Sequence, residues 1–126
     1  MTLQEEYQKS DLKFDSEKII WKNPLRGQYW QVMMRWETPI MHKIAELCVN
    51  EGDNVLECGF GMGILSDAIQ ARKPASHTIC ENHKDIIPRL RSWAKDKSAL
   101  PLFFELIFGK IGFDGSGLNE HLKGKL

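Results

Sequence analysis

The residues with the clearest chemical content lie in one short segment. Asn54-Val55-Leu56-Glu57-Cys58 reads as a short buried strand, and Gly59-Phe60-Gly61-Met62-Gly63 as a glycine-rich turn. Ile64, Leu65, Ala68 and Ile69 then recur at helical spacing. A strand that ends in such a turn delivers the chain to the carboxyl edge of a sheet. Glycine there permits a sharp bend and lets the backbone approach a ligand without a Cβ clash. The next helix presents its first N–H groups to the same place. The spacing is G-x-G-x-G, not the G-x-G-x-x-G of dinucleotide folds, and no Gly-Lys-Ser/Thr follows, which excludes a P-loop. Glu81 closes the next predicted strand, His77-Thr78-Ile79-Cys80, 18 residues after Gly63. A carboxylate in that position can accept hydrogen bonds from both ribose hydroxyls of a nucleoside. By itself Glu81 would be an ordinary solvated loop acid. The order strand, glycine turn, helix, strand, acid is what points to a nucleoside.

The elements that must position this turn follow from periodicity. Thr38-Pro39 predicts a helix start, with Thr38 as the cap and Pro39 pre-organised for the first position. Ile40, Met41, Ile44, Ala45, Leu47 and Cys48 supply its apolar stripe, and Asn50-Glu51-Gly52-Asp53 ends it. Pro74 stops the helix after the turn. Ile86, Ile87, Leu90, Trp93 and Ala94 predict a third helix, capped by Asp85, with Pro88 in its first turn. Leu100 to Phe108 reads as a third strand. Alternating helices and strands indicate a doubly wound α/β sheet. Residues 1 to about 26 read as a polar, irregular arm anchored by Trp21. Tyr29, Val32, Met33 and Trp36 fit one or two amphipathic helical turns, which pattern alone explains as core packing. Beyond Phe108, five glycines break up a lysine-containing tail in which Leu118 to Leu122 could form one weak helical turn.

Bulk properties narrow the class. The chain has 126 residues, with 42% apolar and 27% charged, which suits one soluble globular domain. Lys plus Arg equals Asp plus Glu at 17 each, so nothing in the charge favours nucleic acid or an anionic membrane. No apolar stretch approaches the roughly 20 residues of a bilayer span, and Met1 to Lys13 lacks the apolar centre of a signal peptide. Cys48, Cys58 and Cys80 sit in apolar runs and are expected as buried, reduced thiols in a cytoplasmic protein. Without C-x-x-C or H-x-x-x-H pairs, no metal site is expected.

With those residues in place, a family resemblance emerges. Arg35-Trp36-Glu37-Thr38-Pro39, the Val55-Leu56-Glu57 strand, Gly59-Phe60-Gly61-Met62 and Arg89-Leu90-Arg91-Ser92-Trp93-Ala94 together resemble the guanidinoacetate N-methyltransferases. The fungal-type protein arginine N5-methyltransferases are similar in the same places. The resemblance runs from about Gln31 to Lys95. It implies a Rossmann-like class I methyltransferase fold, with S-adenosyl-L-methionine as cosubstrate and a guanidino nitrogen as acceptor. That acceptor is guanidinoacetate, as in creatine biosynthesis, or an arginine side chain. By the same resemblance, Phe60, Gly61, Met62, Gly63, Ile64 and Leu65 wrap the methionine part and ribose. Glu81 holds the ribose, Asn82 and His83 border the adenine, and Met41 and Trp21 touch the cofactor. Glu37 pairs with the substrate guanidinium, with Met33 beside it. Carboxylate to guanidinium is a charge-assisted, often bidentate contact that fixes a planar group. A pair with Arg35, or a helix-start acid favoured by the dipole, explains Glu37 equally well without the family.

The departures shape the remaining expectations. Family members continue with a strand ending in an F-D-G…D-T-Y segment whose acid faces the guanidinium. Here Gly112-Phe113-Asp114-Gly115 starts that pattern and Ser116-Gly117-Leu118 leaves it. The expectation is therefore the N-terminal half of the fold, with about three strands. It divides into an arm and cap over 1–37, a donor-binding half-domain over 38–108 and a divergent tail over 109–126. Weak or absent turnover is expected of such a chain, either as a crippled enzyme or as a non-catalytic donor-binding or interaction module. Self-association through an uncovered sheet edge is expected as well.

Overall fold

The computed structural model describes residues 3–22 and 27–96. Its α/β architecture has two sheets that share a core. The first sheet is antiparallel: β1 (Leu12–Phe14), β2 (Lys18–Lys22) and β3 (Tyr29–Met34) lie in that order, preceded by α1 (Leu3–Lys9). The second is parallel: β4 (Asn54–Cys58) pairs with β5 (Ser76–Cys80), and α3 (Ile64–Ala71) connects them. The helix α2 (Thr38–Cys48) precedes β4, and α4 (Ile87–Asp96) follows β5. This is the start of a Rossmann-like α/β sheet, with an antiparallel layer added in front of it. The predicted β4, α3, β5 and α4 all form close to the expected bounds. The predicted third strand, Leu100 to Phe108, and the tail lie outside the described residues.

The front of the chain differs from expectation. Residues 3–22 are ordered helix and strand, not an irregular arm. Tyr29 to Met34 is a strand, not a helical turn, and only Arg35–Glu37 coils, as a 3₁₀ turn. The reason is pairing: Ile19 faces Met33 and Trp21 faces Trp30, so β-branched and aromatic residues meet across strands. A bulge between Ile19 and Ile20 shifts the register by one residue, which blurs the period-2 signal that would have marked the strand. In β2, alternation then buries Ile19 and Trp21.

Two smaller expectations are also corrected. Thr38 does not cap α2: it lies inside the helix, and its hydroxyl donates to the Arg35 carbonyl at 2.5 Å. Asp85 does not cap α4: its Oδ2 accepts the Leu12 N–H at 2.9 Å, while the His83 carbonyl receives the N–H of Ile86 and Ile87. Of the three cysteines, only Cys80 is buried; Cys48 and Cys58 are exposed, because their side chains lie on element faces that nothing covers among the described residues.

One core cluster joins the two sheets. Leu12, Ile19 and Trp21 from the front layer pack with Phe60, Ile79, Ile86 and Leu90. A second, smaller cluster of Ala45, Val49 and Ile69 seats α2 on α3. Among the described residues, no helix is long and apolar enough to cross a membrane.

Candidate functional site

The glycine turn is built as its sequence demands. Gly59, Gly61 and Gly63 have φ of 86°, 57° and 81°, the left-handed region that side chains disfavour. The Gly59 N–H donates to the Cys80 carbonyl at 2.8 Å, which ties the start of the turn to the end of β5. A Cβ on Gly63 would lie 2.8 Å from Phe60 Cζ, so the buried Phe60 ring fills the inside of the turn. A Cβ on Gly61 would meet Met33 Cγ at 3.4 Å. The turn therefore bends around Phe60 and is overlaid from outside by Met33 of β3.

Glu81 stands at the centre of the backbone contacts. It is only 8% exposed. Its Oε2 accepts the Phe60 N–H at 2.9 Å, and its Oε1 accepts the N–H groups of Asn82 and His83 at 2.8 and 2.9 Å. An ionised carboxylate offers about four acceptor positions, so three are taken by the protein and one remains, on the Oε2 side that faces the turn. The carboxylate is thus fixed by the backbone of the loop it would serve.

The other expected site residues divide into those near the turn and those that are not free to reach a ligand. Met33, Phe60, Gly61 and Met62 meet at the turn. Ile64 is buried, and Leu65 packs toward the α2–α3 cluster, so these two can offer only backbone N–H groups. Met41 is half-buried on α2. Trp21 is 3% exposed, held edge-on between Tyr7 and Trp30 at centroid distances of 5.4 and 5.3 Å, and its buried indole N–H has no partner among the described residues. His83 is fully buried: its Nε2–H donates to the Tyr7 carbonyl at 2.9 Å, its Nδ1 accepts the Asp85 N–H, and the Tyr7 ring lies 4.7 Å away. That pattern defines a neutral imidazole, and burial holds the His83 pKa below 6.5. Burial, with the charges of Glu81 and Asp85, pushes Tyr7 up to about 12.

Glu37 ends the 3₁₀ turn that follows β3. Its Oε2 accepts the Met34 N–H at 2.8 Å, which pins the side chain back over the 3₁₀ turn. No ion pair with Arg35 forms. Arg35 instead donates from Nε to the Ser16 carbonyl at 3.1 Å.

A buried polar chain behind the turn was not legible in the sequence. Ser66 donates to Glu57 Oε1 at 2.6 Å, His77 Nε2 contacts the same oxygen at 3.0 Å, and Gln70 Nε2 lies 2.8 Å from His77 Nδ1. All four side chains are buried, so this is an internal strut joining β4, α3 and β5, and no substrate can reach it. Its signal, apart from Glu57, is a set of polar residues at positions that the strand and helix periods turn inward.

A parallel strand pair, a left-handed glycine turn and an acid at the next strand end define a class I methyltransferase fold. The chain belongs to the guanidinoacetate N-methyltransferase family, whose model matches residues 4–103. It is similar to protein arginine N-methyltransferase 2 of Saccharomyces cerevisiae, with 38% identity over 93 residues. That match covers 70% of this chain and 22% of the relative. The protein of the same name from Candida glabrata is 39% identical over 90 residues, covering 68% and 21%. The chain spans about a fifth of the length of the curated relatives it matches. Use of S-adenosylmethionine is general to methyltransferases of this class.

Proposed function

We propose that this chain is the donor-binding part of an S-adenosylmethionine-dependent methyltransferase acting on a guanidino nitrogen, with the arginine side chain as acceptor. The observation that carries the reading is the Gly59–Gly63 turn between β4 and α3, with the Glu81 carboxylate bonded to the turn's own Phe60 N–H. The names of the relatives favour arginine as the acceptor. The family model's description favours a second acceptor, guanidinoacetate.

In this reading the turn's backbone and Met62 hold the methionine part, and the remaining acceptor position of Glu81 takes a ribose hydroxyl. Asn82 borders the adenine. His83 and Trp21 act from behind, by fixing the loop and the front layer, and Met41 lies on the helix beside the site. Glu37 receives the guanidinium with its rotamer already set by the Met34 N–H, with Met33, which overlies Gly61, beside the acceptor. Methyl transfer needs the attacking nitrogen in line with the methyl and its sulfur, so holding a planar group in place is most of what the protein must do. We further assign 38–108 to donor binding, 1–37 to the cap over it and 109–126 to a separate tail. The three cysteine thiols suit the reducing cytosol.

Calorimetric titration with S-adenosylmethionine, followed by radiolabelled methyl transfer to an arginine peptide and to guanidinoacetate, tests the reading. Binding with transfer to the peptide is the expected result. A folded chain that binds no donor defeats it.

A further inference from the structure

Beside the glycine turn, a cavity of about 350 Å³ carries charges that the reading above leaves unused. Gly61 and Met62 form part of its wall, with Phe60 and Trp93 as aromatic neighbours. Arg35, Arg89 and Asp15 line it as well. They come from three separate elements: the 3₁₀ turn, α4, and the turn between β1 and β2.

Each charged group is held in a way that leaves a face for a ligand. The Arg89 guanidinium stacks on Phe14, with its central carbon 3.7 Å from the ring centroid. Stacking uses the face of the guanidinium and leaves its N–H edge directed outward. Arg35 is anchored through Nε to Ser16, which leaves its two Nη groups. No carboxylate forms an ion pair with either arginine among the described residues. Asp15 is fixed by the Glu17 and Lys18 N–H groups, both on Oδ1, at 2.7 and 2.9 Å. Two guanidinium forks and one carboxylate lining one cavity match the charge pattern of an α-amino acid: carboxylate to the arginines, ammonium to the aspartate. A simple anion would have no use for Asp15.

We propose that Arg35 and Arg89 receive the carboxylate, and Asp15 the ammonium, of the α-amino acid end of a small ligand. Resting on the donor reading, that end belongs to the methionine part of the methyl donor, because the turn and the arginines line one cavity. Free L-arginine carries the same chemistry and is the other source.

Calorimetry with four probes decides between them: S-adenosylhomocysteine, 5′-methylthioadenosine, which lacks the amino acid, L-arginine, and agmatine, which lacks only the carboxylate of arginine. Arg35→Gln and Arg89→Gln should each weaken S-adenosylhomocysteine about tenfold or more. Binding of 5′-methylthioadenosine should be unchanged, which also shows that the variants are folded. Loss confined to L-arginine, with agmatine spared, supports the amino acid site and assigns it to the acceptor. Equal loss for both nucleosides, or no loss for any probe, overturns the proposal. A parent chain that binds neither nucleoside defeats the donor reading alone, and the L-arginine and agmatine pair then decides this site; binding of none of the four overturns both.

Discussion

In the proposed function, Glu81 carries two tasks on one carboxylate. Three backbone N–H groups, two of them buried, depend on it, and the proposed function gives the fourth acceptor position to a ribose. Each buried donor left without a partner costs about 1–3 kcal/mol, so Glu81→Ala should lower stability as well as donor affinity. Glu81→Gln keeps one oxygen, and should lower affinity roughly ten- to a hundredfold with a smaller stability loss. Urea melts and calorimetry on the two variants separate the tasks; an alanine variant as stable as the parent would show that water satisfies those N–H groups. The glycines are the next test at this scale. At Gly63 both the φ of 81° and the Phe60 ring oppose a side chain, so Gly63→Ala should cost on the order of 1–3 kcal/mol. At Gly61, φ is 57° and Met33 is close, so Gly61→Val should abolish donor binding through the turn. Those glycines were legible in the sequence because their requirement is local. The burial of His83 and Trp21 was not, because it is created by α1 and β1–β2, and for His83 the partner is 76 residues away.

Among elements, the seating of α1 is the contact most open to pH. Neutral His83 and neutral Tyr7 hold it, with ring and carbonyl both engaged. The His83 pKa lies below its ordinary 6.5, so its contribution is present above that value and is lost as pH falls below it. Tyr7 is raised from 10.0 to about 12, so its contribution is present below pH 10 and is lost as pH rises through about 12. Thermal midpoints should therefore be flat between about pH 7 and 10 and fall on both sides. In Tyr7→Phe the alkaline fall should shrink; an identical alkaline limb in parent and variant would assign it to other groups. Element order from α2 to α4 was readable because apolar period and glycine turn agree there. The stretch from Tyr29 to Trp36 was not: a bulge and a 3₁₀ turn within eight residues give spacings that mimic a helix. Arg35 and Arg89 were visible only as parts of a resemblance. Their joint cavity exists because β1, the 3₁₀ turn and α4 converge, which no local pattern encodes.

At the scale of the whole molecule, the antiparallel layer and the parallel pair behave as one unit. Leu12, Ile19 and Trp21 supply three of the seven buried residues in the shared cluster, and Phe60 of the glycine turn is another. Removing a front-layer side chain therefore leaves a cavity in the core that also holds Phe60 of the turn. Trp21→Ala should cost about 3–5 kcal/mol, which is a large share of the net stability of a small domain. Trp21→Phe should cost less, because it keeps much of the aromatic volume and removes an indole N–H that is buried without a partner among the described residues. The core geometry also requires that both layers unfold together. Tryptophan fluorescence, to which Trp21 and Trp30 of the front layer contribute two of the four indoles, and far-UV circular dichroism, weighted to α2, α3 and α4, should report the same denaturant midpoint in the parent. Two separated midpoints would mean that the front layer detaches first. In that case Glu81 and the turn would be served by a parallel pair that stands alone, and the role of 1–37 as its cap would fall with it.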